Sequence, residues 1–176
     1  MSMDLSPVSR DALRAPAPLR LLFGALLIAL IISLLPWSGW ALKARPDFVL
    51  LVLLYWVVHE PRHIGQTWGF MLGLLMDIAD SALLGQHALV YVVAIFFTQL
   101  WRIRILHLTV VEQALHILGI LLVAQALYIS LNMSLGREFA GAAMFVAPLL
   151  GALLWMPLHY LATLPRFRRR GETIML

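Results

Sequence analysis

An all-α, polytopic integral membrane protein is the fold class this sequence predicts, and three observations predict it. Of its 176 residues, 62% are hydrophobic and only 12% charged, where a soluble domain would be about a quarter charged. The apolar residues fall into six runs separated by short polar turns. Ten of the thirteen Lys and Arg lie in alternate turns and at the two ends of the chain, as expected when cytoplasmic segments retain basic residues. Six passes of roughly 20 residues each would use about 120 residues. The expectation is therefore about six short transmembrane helices with both termini cytoplasmic. Residues 1–18 form a flexible cytoplasmic tail, 19–164 a six-helix transmembrane domain, and 165–176 a basic cytoplasmic tail.

The elements follow in order. Pro7, Pro16, Pro18 and opposing charges leave the first 18 residues too little apolar content to pack. The first helix runs over about 19–35 behind Arg10, Arg14 and Arg20, as a signal anchor would, with no convincing small-x-small cleavage site after it. It stops at Pro36-Trp37-Ser38-Gly39-Trp40, whose indoles suit the aromatic belt. Arg45-Pro46-Asp47 opens the second helix, with Pro at the first helical position and an acid at the positive end of the dipole. Its apolar run, 48–58, rises only about 16 Å. Either its flanks snorkel while the bilayer thins, or the segment re-enters without crossing. The polar turn His59-Glu60-Pro61-Arg62-His63 favours a crossing, because charge at the bilayer centre is expensive.

A third helix covers about 64–78, and 80–86 turns the chain on the exterior side. The fourth runs over about 87–101, after which Arg102, Ile103, Arg104 and His107 make a polar turn. The fifth, about 111–131, is the longest uninterrupted segment. An exterior loop, 132–141, holds Arg137 and Glu138, and the sixth helix spans about 142–164 with kinks expected at Pro148 and Pro157. Arg166, Arg168, Arg169 and Arg170 follow, placed to touch anionic membrane lipid.

Several function classes are excluded or weakened. A net charge of +4 would need a folded basic face to signify nucleic acid, and the basic residues here sit at helix ends instead, so no nucleic-acid partner is expected. Zero Cys removes disulfides, thiolate zinc sites and a Cys nucleophile. His59-Glu60-x-x-His63 matches the zincin pattern, making an intramembrane metalloprotease a remote alternative. Pro61 pushes Glu60 out of the helical region, however, and separates the two imidazoles. No catalytic triad, phosphate loop or carboxylate pair can be assembled. The chain is expected not to be an enzyme and to need no cofactor or metal.

The remaining motifs are those of packing. Gly65, Gly69 and Gly73 recur every four residues, a smooth face for another helix of the bundle, for a partner or for a second copy. Ala140, Gly141, Ala143, Ala147 and Gly151 offer a comparable surface. Asp77 is the acid nearest the bilayer interior, at the exterior end of its helix. It is set either to shape the turn with Asp80 and Ser81 or to serve an ion path. Glu112 suits the first turn of the fifth helix, sharing a face with His116, and Gln125 suits an interhelical hydrogen bond. Tyr55 and Trp56 read as packing or interface aromatics.

The string from Arg45, Pro46 and Asp47 through Tyr55 and Trp56, then Gly69-Phe70-x-x-Gly73-Leu74-x-x-Asp77 and Leu84-Gly85, resembles the rod shape-determining membrane protein MreD family in its proteobacterial form. The resemblance extends over nearly the whole chain. It implies a non-enzymatic scaffold subunit of the elongasome, the machinery that inserts peptidoglycan along the side wall, in the bacterial inner membrane. The implied partner is an MreC-like single-pass protein. A RodA-type glycosyltransferase, its penicillin-binding transpeptidase and MreB filaments would follow through the complex. It also implies a fold similar to the S-components of energy-coupling-factor transporters, and hence an alternative in which a small molecule or lipid binds between the helices. The matching residues are Arg45, Pro46, Asp47, Tyr55, Trp56, Gly69, Gly73, Asp77 and Gly85. Pro46 and Asp47 would shape the exterior opening of the second helix, Gly69 and Gly73 close packing, and Asp77 with Gly85 the exterior turn.

Overall fold

A computed structural model describes residues 19–137 and 141–172. The expected tail 1–18, Glu138 and Ala140 lie outside them. Seven α-helices are present: α1 (Leu19–Leu34), α2 (Gly39–Ala44), α3 (Phe48–His59), α4 (Gln66–Ala79), α5 (Gln86–His107), α6 (Val110–Ser134) and α7 (Val146–Glu172). A 3-10 helix, Ala142–Phe145, leads into α7. No strand occurs among the described residues. The segments Gln86–His107, Val110–Ser134 and Ala142–Thr163 are long and apolar enough to cross a membrane, and α1 and α3 are shorter apolar helices. The polytopic all-α class stands.

The shortness of α3 has a packing explanation. Every residue from Val49 to Val58 is buried, because α1, α5, α7 and α4 all pack against it. A helix that is apolar all round is a core helix. At 12 residues it rises about 18 Å without presenting its sides to lipid. The outer helices carry the lipid-facing surface instead, with Leu27 and Ile31 of α1, Leu100 of α5, Leu115 of α6 and Leu153 of α7 exposed.

Local chemistry corrects several expected boundaries. Asp47, not Pro46, opens α3: its Oδ1 accepts the Leu50 N–H at 2.9 Å, making it the N-cap, and Pro46 precedes the helix. The stretch 39–44, expected as loop, forms the short α2 against α7 and the 3-10 helix. Arg102, Ile103 and Arg104 are not a turn. With neither Pro nor Gly to stop it, α5 continues to His107, and Arg102 Nε donates to the Val58 carbonyl at 2.8 Å, satisfying the C-terminal end of α3. The real break is Leu108-Thr109, where Thr109 and Glu112 form a capping box for α6. The final helix runs on through Pro157 and past residue 164 to Glu172. Pro157 removes one backbone donor, and Pro148 falls in the first turn of α7, where none is needed.

α4 and α5 approach most closely. A Cβ on Gly73 would collide with the backbone of Ala88, and one on Gly69 with the Ile95 side chain. The glycine face is therefore spent within the chain, on α5. Gly65 is the N-cap of α4, with space around it.

Candidate functional site: a polar end and a lateral groove

Two features of the bundle could receive another molecule. The first lies at the end of α3 marked by Asp47. Asp47 at the start of α3 and Asp77 and Asp80 at the end of α4 converge there, and each is held by a specific donor. Asp77, at the end of α4, is 1% exposed. Its Oδ2 accepts the Gly85 N–H at 2.7 Å, and its Oδ1 accepts the His87 N–H at 2.7 Å and faces His87 Nδ1 at 2.9 Å. That places the ring proton on Nδ1, donating to the carboxylate. Gly85 can offer its N–H because its φ of 99° lies in the left-handed region, where glycine carries no Cβ penalty.

Asp80, one turn on, pairs with Arg45: Nη2 donates to Oδ1 at 2.9 Å and to Oδ2 at 2.7 Å. The other arm, Nη1, donates to the Ser33 carbonyl at 2.8 Å, so one guanidinium ties α1 to the α4–α5 turn. His87 Nε2 stands 3.8 Å from Asp80. Asp47 also accepts the Tyr91 hydroxyl at 2.7 Å, joining the start of α3 to α5. The ring of Tyr128 on α6 lies 4.9 Å from that of His87.

Arg45, Asp47, Asp80, His87 and Tyr128 border a cavity of about 360 Å³. Its lining combines the charged or polar Arg45, Asp47, Asp80, His87, Gln125 and Tyr128 with apolar residues that include Leu121, Ala147 and Pro148. Gln125, expected in an interhelical bond, lines this cavity instead.

The second feature is an apolar lateral groove of about 490 Å³. α1 and α7 form its sides and α3 its floor, with Gly24, Ala25, Ala29, Trp56 and Ala162 in its lining and Arg20 at one end. A Cβ on Gly24 would meet no atom of the chain.

The residues singled out from sequence thus divide by place. Arg45, Pro46, Asp47, Asp77 and Gly85 gather at the polar end. Trp56 lines the groove, and Tyr55 packs against Trp155 and His59 deeper in the bundle. Gly69 and Gly73 face α5. Sequence reasoning missed His87, Tyr91 and Tyr128 as members of the polar end. A usable signal was present: three acids expected at one membrane face need donors, and His87 follows the turn directly.

At the other end of α3, the helix stops at His59, and residues 61–63 form a turn. His59 and His63 therefore do not share a helical face, which the zincin arrangement requires. His59 Nδ1 lies 2.8 Å from the Tyr55 carbonyl. Among the described residues, no group of three His, Cys, Asp or Glu side chains is placed to hold a metal ion.

The chain is 28% identical to the rod shape-determining protein MreD of Haemophilus influenzae (strain ATCC 51907 / DSM 11121 / KW20 / Rd) over 128 residues, which cover 73% of this chain and 79% of that one. No solved structure matches. The family model for rod shape-determining protein MreD matches residues 17–164, most of the chain and all of the helices that build the polar end and the groove, and the chain belongs to that family.

Proposed function

We propose that the protein is a non-enzymatic, multi-pass scaffold of the bacterial inner membrane that seats the transmembrane helix of an MreC-like single-pass partner in the groove between α1 and α7. Family membership ties the chain to rod-shape determination. The observation that carries the finer reading is the groove itself. Its small side chains let a foreign backbone come close, which is how helices associate where lipid is as apolar as the side chains. Through that partner, the scaffold would hold the RodA-type glycosyltransferase, the penicillin-binding transpeptidase and the MreB filaments of the elongasome. No chemistry is assigned to His59, Glu60 or His63. A Glu60→Gln variant is expected to restore rod shape to cells lacking the wild-type chain, and spherical cells would contradict a purely structural role.

Gly24→Leu tests the groove. Open space around Gly24 lets the leucine fit without disturbing the fold, while its side chain obstructs the groove. Tagged wild-type protein purified from detergent-solubilised membranes is expected to retain a single-pass protein in stoichiometric amount, identified by mass spectrometry. The variant, with the thermal stability of the wild type, is expected to lose it. Full retention by a stable variant would remove the partner from this groove.

A further inference from the structure

The cavity at the polar end is lined by two carboxylates against one guanidinium, and this charge imbalance specifies a ligand. Asp47 and Asp80 border it, with Asp77 behind His87, against one guanidinium, Arg45. Arg45 is already committed to Asp80 and the Ser33 carbonyl. Both bonds to Asp47, from the Leu50 N–H and the Tyr91 hydroxyl, land on Oδ1, whereas a carboxylate offers about four acceptor sites over two oxygens. An anion would meet two carboxylates and a cation that is already paired. A cation with N–H donors would meet acceptors with capacity to spare. The apolar part of the lining, with Leu121, Ala147 and Pro148, suits an apolar body. At about 360 Å³ the cavity falls in the size range of small-ligand sites, roughly 300–1,000 Å³.

We propose that this cavity binds a primary ammonium group carried on an apolar body, with the ammonium at Asp47 and Asp80 and the body along Leu121, Ala147 and Pro148. Such a head group reaches a membrane protein either on an aminophospholipid or as a free amine. The proposal is independent of the groove between α1 and α7 and stands whether or not a partner helix sits there.

The test uses the purified full chain in detergent, with n-octylamine, n-octanoate and n-octanol as probes of equal apolar length. A saturable rise in Tm with octylamine, at least tenfold stronger in midpoint concentration than with the other two, is expected. Equal effects of the three probes, or no effect of octylamine, would overturn the proposal. Asp47→Asn removes the charge but also touches the cap of α3, so Ala147→Leu, which narrows the apolar side, is run beside it. The octylamine shift is expected to fall to the octanol level in Ala147→Leu, and an undiminished shift there would overturn the site. Bilayer discs of phosphatidylethanolamine, phosphatidylcholine or phosphatidylglycerol, read by native mass spectrometry, separate the sources. Retained phosphatidylethanolamine assigns the head group to lipid. No lipid preference together with the octylamine shift assigns it to a free amine, and preferential retention of phosphatidylglycerol would contradict a cation site.

Discussion

Asp77 accepts two backbone N–H groups and faces one ring nitrogen, all from the segment Gly85–His87, in a position 1% exposed. Removing its carboxylate would leave those donors buried without a partner, and each unmet buried donor costs about 1–3 kcal/mol. Asp77→Ala is therefore expected to destabilise the protein by roughly 2–5 kcal/mol, read as a clear drop in Tm in detergent. Asp77→Asn keeps the shape and one acceptor and is expected to lie between. An unchanged Tm for the alanine variant would mean that the turn is held elsewhere. At this scale the sequence was partly legible. An acid near a helix end suggested a turn shaped by Asp77 with Asp80 and Ser81, and the family resemblance implied Gly85 beside it, whose N–H does reach Asp77. What could not be read was that His87 supplies the balancing ring N–H, or that Asp47 reaches Tyr91 on another helix. Those pairings depend on which helices become neighbours, and local spacing says nothing about that.

Among the elements, the contact of α4 with α5 is the one most exposed to a single change. Its closeness depends on the absence of a side chain at Gly73, where the backbone of Ala88 occupies the space a Cβ would need. Backbone cannot swing aside as a side-chain tip can, so Gly73→Leu forces the two helices apart. Overpacking costs typically about 1–3 kcal/mol where side chains can adjust, and here the loss is expected at or above the top of that range. Reduced yield of folded protein on size-exclusion chromatography would show it. Wild-type yield and Tm would mean that the helices do not approach as described. The same change at Gly24 touches nothing of the chain, so the pair separates a folding glycine from a docking glycine. The four-residue glycine spacing was visible in the sequence, but not which helix would use it. Element ends were harder to read. Arg102 and Arg104 looked like a turn because they are charged, yet Arg102 is held in helix by the chance to bond the Val58 carbonyl, a contact between residues 44 apart.

Across the whole molecule, α3 acts as a central post with chemically different ends. Asp47, Arg45, Asp80 and His87 collect at one end, and His59, Glu60, Pro61, Arg62 and Arg102 at the other. An apolar post buried on all sides needs its polar ends in water or interface, so the two ends belong on opposite faces of the membrane. From the distribution of Lys and Arg we propose that the His59 end faces the cytoplasm. That assignment is testable without background, because the chain has no Cys. Leu83 lies in the exposed turn at the Asp77 end, and Arg62 is exposed in the turn at the other end. In intact spheroplasts, a membrane-impermeant maleimide is expected to label Leu83→Cys and to spare Arg62→Cys until the membrane is permeabilised. The reverse pattern would invert the protein, placing the cavity at the polar end on the cytoplasmic side. Labelling of both in intact cells would mean that α4 does not separate two compartments.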